Sequence, residues 1–351
     1  MGERSNKKIK TRFKIDFDKA KKELTKEGYG IVGNNSAVKS CLWTKKSLKG
    51  EGGCWKQKFY GIESHRCAQI TCSLFNCDNK CLHCWRNLSY TNSGKIENPD
   101  DPKTILDEII KARKKLMTGH GGDKNVPRKK YLESLEPTLF TLSLSGEPTI
   151  YPKLSELIKE IRKRKAISFI VSNGQHPEMI KKLEKQKALP TQLTISMNAP
   201  NEKLFKTWHN SKNKDAWKRF NKTLDLIKKL KGKTRRAIRL TLVKELFAGT
   251  KLDKITNMSD KNVKEYADLI KKADPDFIHI KGFKSLGYSR KRLQYDKQPF
   301  HPEVKDFTKK LLKELQTWDK DWKIQGEVER SCVFLLSRLD KKDLKIKKKQ
   351  I

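Results

Sequence analysis

The sequence has few acidic residues and no long apolar run. Its 351 residues include 80 Lys and Arg but only 41 Asp and Glu, which gives a formal net charge of +39 at pH 7. No segment approaches the roughly 20 apolar residues that a membrane-spanning helix needs, and no signal peptide is recognisable. We therefore expect a soluble, cytoplasmic protein with no membrane contact, whose positive charge favours a polyanionic partner such as RNA.

A second C-x2-C motif is also missing, although the chain has eight cysteines. Structural zinc sites usually pair two such motifs, so the spacing disfavours zinc without excluding it. Cys77, Cys81 and Cys84, the first triplet, instead have the C-x3-C-x2-C spacing of the radical S-adenosylmethionine superfamily. Three thiolates at this spacing hold a four-iron cluster and leave its fourth iron open to chelate S-adenosylmethionine.

Apolar strand-like runs alternate with helical patterns from residue 67 onward. Strands are predicted at 67–74, 138–145, 166–171, 191–196, 236–243 and 276–281, with helices between them. Parallel strands need helical crossovers, so this order predicts six parallel strands. We expect an α/β fold with a partial (β/α)6 TIM-like barrel over residues 67–300. A basic N-terminal extension over 1–66, with one helix near 16–27, and a C-terminal extension of helix, strand and basic tail over 301–351 complete the prediction.

Polar segments end the second, third and fourth predicted strands, where α/β barrels carry their active sites. The first of them resembles the Gly-Gly-Glu segment with which radical S-adenosylmethionine enzymes bind the methionine amino group. Turn chemistry alone is the alternative for each segment, because Asn-Gly and similar pairs commonly terminate strands. The candidate cofactor-binding residues in these segments are Ser145, Gly146, Glu147, Ser172, Asn173, Ser196 and Asn198.

Cys41, Cys54 and Cys67, the second triplet, follow one another at intervals of thirteen residues. These thiols can ligate a second four-iron cluster, and the alternative is three unrelated buried cysteines. Seven of the eight cysteines lie between Cys41 and Cys84, which favours metal binding.

Several longer stretches of the chain resemble the archaeal tRNA 4-demethylwyosine synthase family of the wyosine pathway. The resemblance extends from Cys41 to about Arg338, and the paired cysteine triplets separate this family from other superfamily members. The stretches that carry it are residues 53–62 (GCWKQKFYGI), 64–67 (SHRC), 81–86 (CLHCWR), 145–149 (SGEPT), 172–174 (SNG), 239–244 (RLTLVK) and 287–293 (GYSRKRL).

The resemblance implies a lyase that condenses N1-methylguanosine at position 37 of phenylalanine tRNA with two carbons of pyruvate, which forms the tricyclic base 4-demethylwyosine. A 5′-deoxyadenosyl radical formed at the first triplet would take a hydrogen from the N-methyl group. The resulting carbon radical would attack C2 of pyruvate, and C1 would leave as formate or carbon dioxide. The implied cofactors are two four-iron clusters and S-adenosylmethionine, with pyruvate as co-substrate.

Lys56 matches the lysine of this family that is proposed to form a Schiff base with pyruvate. Chelation of pyruvate by the open iron of the second cluster is the alternative. Imine chemistry needs a lysine whose pKa is lowered by burial or by neighbouring cations, and Lys58, His65 and Arg66 are the candidate cations.

Aromatic and cationic residues beside the first triplet and after the sixth strand are candidate RNA contacts, because a modified base must leave its stack. Packing is the alternative for each. The candidates are Trp85, Arg86, Tyr288, Arg290 and Arg292. Eukaryotic relatives carry a flavodoxin-like domain that delivers electrons, so we expect an external electron donor for this chain, and a monomer.

Two other functions compete with this interpretation. A radical S-adenosylmethionine RNA methyltransferase would use Cys332 as its methyl-carrying thiol, but it would leave the second triplet unexplained. A zinc-bearing RNA-binding module would bind zinc tightly and would not cleave S-adenosylmethionine.

Overall fold

The structure is a computed structural model that describes residues 15–245 and 255–351. Its centre is one mixed sheet of ten strands. The elements in chain order are α1 (Phe17–Lys26), β1 (Tyr29–Val32), β2 (Ser36–Lys39), α2 (Leu42–Leu48), α3 (Trp55–Tyr60), β3 (Cys67–Thr71), α4 (Pro102–Met117), α5 (Arg128–Ser134), β4 (Leu139–Leu142), α6 (Leu154–Lys163), β5 (Ile167–Ser172), α7 (Pro177–Lys185), β6 (Gln192–Ser196), α8 (Glu202–His209), α9 (Ala216–Lys229), β7 (Arg235–Leu242), α10 (Asp260–Ala273), β8 (Phe277–Gly282), α11 (His301–Gln316), β9 (Lys323–Val328), β10 (Val333–Ser337) and α12 (Lys341–Leu344).

The six strands β3 to β8 pair in parallel and in chain order. An antiparallel pair covers each side of this parallel block: β2 with β1 beside β3, and β10 with β9 beside β8. The sheet is therefore open, with β1 and β9 as its edges. The predicted partial (β/α)6 barrel is confirmed.

The prediction for the N-terminal extension was wrong in one respect. Besides the predicted helix α1, it contains the strands β1 and β2 and the short helices α2 and α3. Each of these strands has only four residues, too few for a period of two to stand out from the surrounding sequence. The extension thus adds strands to the sheet as well as carrying cysteines.

Helix ends follow ordinary capping chemistry. Asp101 caps α4 by accepting a hydrogen bond from the Thr104 amide at 3.0 Å, with Pro102 in the first turn. Ser259 and Asn262 form a capping box at the start of α10. No helix in residues 15–245 and 255–351 combines the length and the apolar content needed to cross a membrane.

The two faces of the parallel strands pack differently. Ile70, Ile170 and Leu240 point outward into the large core that the strands share with the surrounding helices. On the inner face, α3 closes the amino-terminal end of the barrel, because Phe59 and Tyr60 pack there against strand-start residues such as Phe277. Polar inner residues thus remain at the carboxyl ends of the strands, which is where the site lies.

Candidate active site

A cavity of about 350 Å³, here called the strand-end cavity, lies at the carboxyl ends of the parallel strands. All three cysteines of the first triplet and all seven predicted cofactor-binding residues line it. The structure thus brings together residues that are spread over four strand ends. Other charged or polar residues also line it, among them Gln69, Arg86, His209, Arg239, Lys281 and Lys284.

The loop that carries the first triplet is held in place by its backbone. The amides of Lys80 and Leu82 donate to the carbonyls of His209 and Trp208 at 2.9 and 3.0 Å, at the end of α8. The Arg292 guanidinium donates to the Leu82 carbonyl at 3.1 Å and also to the Cys84 carbonyl. Arg292 therefore positions the cysteine loop, and a direct RNA contact by this residue stays a prediction.

The three cysteines of the first triplet are partly buried, and a side-chain nitrogen lies beside two of their sulfurs. Burial, reinforced by the charge of Glu147, raises the pKa of Cys77 to about 12. His209 Nδ1 lies 3.2 Å from Cys81 Sγ, and Asn173 Nδ2 lies 3.8 Å from Cys77 Sγ. Thiolate sulfurs that accept hydrogen bonds in this way are typical of iron–sulfur ligands.

The sulfurs of each triplet are farther apart than a single zinc ion requires. Tetrahedral zinc, with zinc–sulfur bonds of about 2.3 Å, needs sulfurs about 3.8 Å apart. Among the described residues, only Glu63, His65 and Glu133 form a group of three metal-ligating atoms within 4.8 Å of one another. Neither cysteine triplet meets that criterion, so three sulfurs around one zinc ion do not fit this arrangement.

Glu147 connects two strand ends instead of facing the cavity without a partner. Its carboxylate accepts hydrogen bonds from the Thr149 amide and hydroxyl at 3.1 and 2.6 Å, and from the Asn173 amide at 2.7 Å. Burial raises the pKa of this carboxyl, although these hydrogen bonds oppose the shift. Glu147 thereby fixes the loop of Ser172 and Asn173, and its predicted contact with the methionine amino group stays a prediction.

The remaining predicted cofactor residues also have protein partners. Ser145 Oγ donates to the Leu74 carbonyl at 2.7 Å, and Ser172 Oγ accepts from the Gly174 amide at 3.0 Å. Asn198 Oδ1 accepts from the Thr241 amide at 3.1 Å. Ser196 Oγ accepts from Arg239 at 3.0 Å. Their binding of S-adenosylmethionine stays a prediction.

Lys56 lies below the strand-end cavity, inside the barrel. Its ammonium donates to Thr141 Oγ1 at 3.1 Å and to Cys67 Sγ at 3.6 Å. Thr141 is in register with Gln69, which lines the cavity, so Lys56 is next to the cavity floor. Burial alone would lower the pKa of Lys56, but the charges of Cys67, Cys54 and Cys41 outweigh it and raise the pKa. The second triplet is therefore gathered around this lysine.

The predicted cationic neighbours of Lys56 were wrong. Lys58 donates to the Glu327 carbonyl at 2.8 Å, and His65 pairs with Glu133 at 2.8 Å. Arg66 donates to the Glu136 carbonyl at 3.3 Å. Residues two apart on a helix point about 200° away from each other, so Lys58 cannot share the face of Lys56.

The other RNA candidates lie near the mouth of the cavity. Trp85 stacks on Tyr29 with ring centroids 6.4 Å apart, and its carbonyl accepts from the Tyr288 amide at 2.9 Å. Arg86 lies 3.5 Å from the Gly146 carbonyl. Arg290 is exposed, although its Nε donates to the Ser285 carbonyl at 3.1 Å. RNA binding by these residues stays a prediction.

Cys332 is buried at the start of β10 and lies 3.1 Å from the ammonium of Lys284. Because Lys284 lines the strand-end cavity, this thiol is close to the site. Sequence reasoning missed three lining residues. His209 and Lys284 carry no motif. Arg239 begins the stretch 239–244, but only the alternation of side chains along β7 would have indicated that it faces the cavity.

An open partial barrel with three converging thiols at the end of its first parallel strand defines a radical S-adenosylmethionine enzyme. A family model for the radical SAM superfamily matches residues 73–246, and one for wyosine base formation matches residues 272–338. The chain is 40% identical over 316 residues to the S-adenosyl-L-methionine-dependent tRNA 4-demethylwyosine synthase of Pyrococcus abyssi, covering 90% of this chain and 87% of that protein. The chain belongs to the tRNA 4-demethylwyosine synthase family.

Two further comparisons agree with this assignment. The synthase of the same name from Methanocaldococcus jannaschii is 34% identical over 327 residues, which cover 92% of this chain and 96% of that protein. A solved structure of TYW1 with a lysine–pyruvate adduct bound is 32% identical and superposes with a TM-score of 0.75, covering 94% of this chain and 98% of that chain. The fold and the family are thus supported independently.

His209→Leu is expected to lower the reduction potential of the cluster at the first triplet. His209 Nδ1 lies 3.2 Å from Cys81 Sγ, and a thiolate bound to a cluster has no proton to give, so the imidazole must be the donor there. Such hydrogen bonds favour the reduced cluster. A tenfold shift in the ratio of reduced to oxidised cluster corresponds to 59 mV for one electron. An EPR-monitored titration, with S-adenosylmethionine added to identify the cluster that binds it, measures the change. His209→Asn keeps an N–H near the same position and serves as the control, and an unchanged potential in the leucine variant would contradict the prediction.

Proposed function

We propose that this protein forms 4-demethylwyosine in tRNA by condensing N1-methylguanosine at position 37 of tRNA(Phe) with pyruvate. One observation carries the proposal. The first triplet lines the strand-end cavity, and Lys56, next to the floor of that cavity, is within electrostatic range of all three cysteines of the second triplet. The lysine–pyruvate adduct in the related solved structure supports a covalent role for a lysine. We further infer that Cys41, Cys54 and Cys67 hold a second four-iron cluster.

The first triplet and the strand-end segments form the upper half of this site. When bound there, a four-iron cluster with S-adenosylmethionine supplies a 5′-deoxyadenosyl radical. The chain's own residues fix the geometry, because Glu147 holds the Asn173 loop and Arg292 holds the cysteine loop.

Lys56 performs the covalent step in the lower half of the site. The charges of Cys67, Cys54 and Cys41 raise the pKa of Lys56, so its ammonium must lose a proton before the amine attacks the keto carbon of pyruvate. The keto oxygen then leaves as water, and an imine forms between Nζ and C2. Thr141 Oγ1, at 3.1 Å from Nζ, orients the amine toward the barrel interior. The imine would hold C2 beneath the strand-end cavity, within reach of a methyl radical on the base.

The excess of positive charge supports binding of the tRNA phosphates. The proposed RNA contacts around the mouth of the cavity are Trp85, Arg86, Tyr288, Arg290 and Arg292. Arg292 also holds the cysteine loop in place through its hydrogen bonds to the Leu82 and Cys84 carbonyls. An electron donor separate from this chain, a monomeric state and a cytoplasmic location complete the proposal.

Lys56→Ala is expected to lower product formation at least ~100-fold, because loss of a positioned reacting group costs a rate on that scale. The assay supplies tRNA containing N1-methylguanosine, S-adenosylmethionine, a reductant and carbon-13-labelled pyruvate, and detects the labelled tricyclic nucleoside by mass spectrometry. Lys58→Ala is the matched control, since Lys58 lies on the same helix and points away.

S-Adenosylmethionine cleavage without tRNA should persist in Lys56→Ala, which separates loss of the covalent step from loss of the upper site. Undiminished product from Lys56→Ala would contradict the Schiff base. No labelled tricycle from the unmodified protein would contradict the proposed function itself.

A further inference from the structure

Lys281 is a cation in the barrel interior without a hydrogen-bond or ion-pair partner in the part of the chain that the structure describes. It lines the strand-end cavity from β8, between Thr241 of β7 and Val333 of β10 in register. No residue within 15–245 or 255–351 accepts a hydrogen bond from its ammonium or forms an ion pair with it. Burial, together with the charge of Arg239, lowers the pKa of Lys281 to about 8.

Arg239 adds a second cation on the neighbouring strand. Its guanidinium donates to Ser196 Oγ at 3.0 Å, while its buried Nε has no partner among the described residues. Arg86 and Lys284 also line the cavity, and Glu147 is its one acidic lining residue. That carboxylate already accepts three hydrogen bonds from Thr149 and Asn173. Lys281 and Arg239 are partly buried, and the one carboxylate among the described lining residues already has its own partners. Partly buried cations without a free acid cost free energy, so their placement indicates an anionic ligand.

Lys281 lies on β8 close to the helix that carries Lys56. His279, two residues earlier on β8, packs its ring 4.7 Å from Trp55 and contacts Tyr60, both on the helix that carries Lys56. Two residues of strand correspond to about 6.7 Å, a step that an extended lysine side chain covers. Cys54 acts electrostatically on both lysines, so both lie within electrostatic range of the same thiol.

We propose that Lys281, with Arg239 beside it, binds the carboxylate of the keto acid whose keto carbon reacts with Lys56. The inference rests on the proposed function and names the group that recognises its co-substrate. In a 2-keto acid the carboxylate is one bond from the reacting carbon, so its binding group must lie beside the imine. Lys281 and Arg239 supply the two donors that a carboxylate accepts best.

Trapping of the imine tests this inference directly. Borohydride reduces the imine on Lys56 to a stable amine, and peptide mass spectrometry measures the trapped fraction against pyruvate concentration. In Lys281→Met the half-maximal pyruvate concentration is expected to rise at least ~10-fold, the scale of a lost charge-assisted hydrogen bond, with the same plateau at saturation. Methyl pyruvate, which lacks the negative charge, should be trapped equally by both proteins.

Two control variants separate charge from packing. Lys281→Arg keeps the cation and should remain close to the unmodified protein, and Lys281→Gln repeats the test with a polar side chain if the methionine variant unfolds. Lys58→Met removes a lysine that does not line the cavity and donates to the Glu327 carbonyl, and it should leave trapping unchanged.

Several results would overturn the proposal. An unchanged half-maximal concentration in Lys281→Met and Lys281→Gln is one. Equal weakening with pyruvate and methyl pyruvate is another, because Lys281 would then shape the site without binding the carboxylate. A third is weaker binding of S-adenosylmethionine in place of pyruvate, measured by equilibrium binding. Absence of any Lys56 adduct in the unmodified protein would instead refute the proposed function, so the two failures are distinguishable.

Discussion

Replacing Cys77, Cys81 and Cys84 together by alanine is expected to remove about half of the bound iron and all cleavage of S-adenosylmethionine. With one four-iron cluster on each triplet, about eight irons per chain would fall to about four. The cleavage would stop because the remaining triplet surrounds Lys56 beneath the strand-end cavity and not the predicted cofactor residues. Anaerobic reconstitution followed by iron and sulfide determination measures the first effect, and release of 5′-deoxyadenosine measures the second.

The reciprocal variant should behave differently. Replacing Cys41, Cys54 and Cys67 is expected to remove the other half of the iron, to preserve S-adenosylmethionine cleavage and to abolish formation of the tricycle. Cys72→Ala is the matched control, since this buried thiol belongs to neither triplet. A fall from about four irons to none in the first variant would rule out a second cluster. A loss of product in Cys332→Ala, with iron intact, would then favour a methyl-carrying role for that thiol.

The central strands could be predicted because each has a clear length and a clear helical neighbour. The predicted strands at 166–171 and 191–196 correspond to β5 (Ile167–Ser172) and β6 (Gln192–Ser196). Both are buried on both faces, which gives the continuous apolar runs that parallel strands show. The same pattern could not reveal β1 and β2, which depend on pairing with β3 more than on their own sequence.

The cysteines and strand-end segments could be predicted from spacing, because a cluster imposes a local constraint on its ligands. The groups that support them come from distant parts of the chain. His209 is 128 residues from Cys81, and Arg292 is 208 residues from Cys84. Nothing local in the sequence relates such pairs. The inner cations Arg239 and Lys281 were equally difficult to predict, since a period of two identifies two faces of a strand but not which one lines a cavity.

The glycine of the Ser-Gly-Glu segment lies against the backbone of the neighbouring strand end. Gly146 has φ +67°, and a Cβ at this position would lie 1.7 Å from the Ser73 carbonyl oxygen and 2.7 Å from that of Asn76. The Asn76 carbonyl also accepts a hydrogen bond from the Glu147 amide at 2.7 Å. The glycine therefore lets the second strand end pack against the backbone that leads directly into Cys77.

Gly146→Ala is accordingly expected to lower the free energy of unfolding by at least ~2 kcal/mol and to abolish S-adenosylmethionine cleavage. A left-handed conformation costs a non-glycine residue roughly 1–2 kcal/mol, and relief of the overlap must move backbone rather than a flexible side chain. Gly232→Ala is the matched control, because Gly232 has φ +78° with nothing within 4 Å of the added Cβ. It carries the conformational cost alone and should retain cleavage. Urea unfolding of both reconstituted variants, with a cleavage assay on each, checks the prediction. Equal losses of unfolding free energy in the two variants would show that the contact with Ser73 is not the cause.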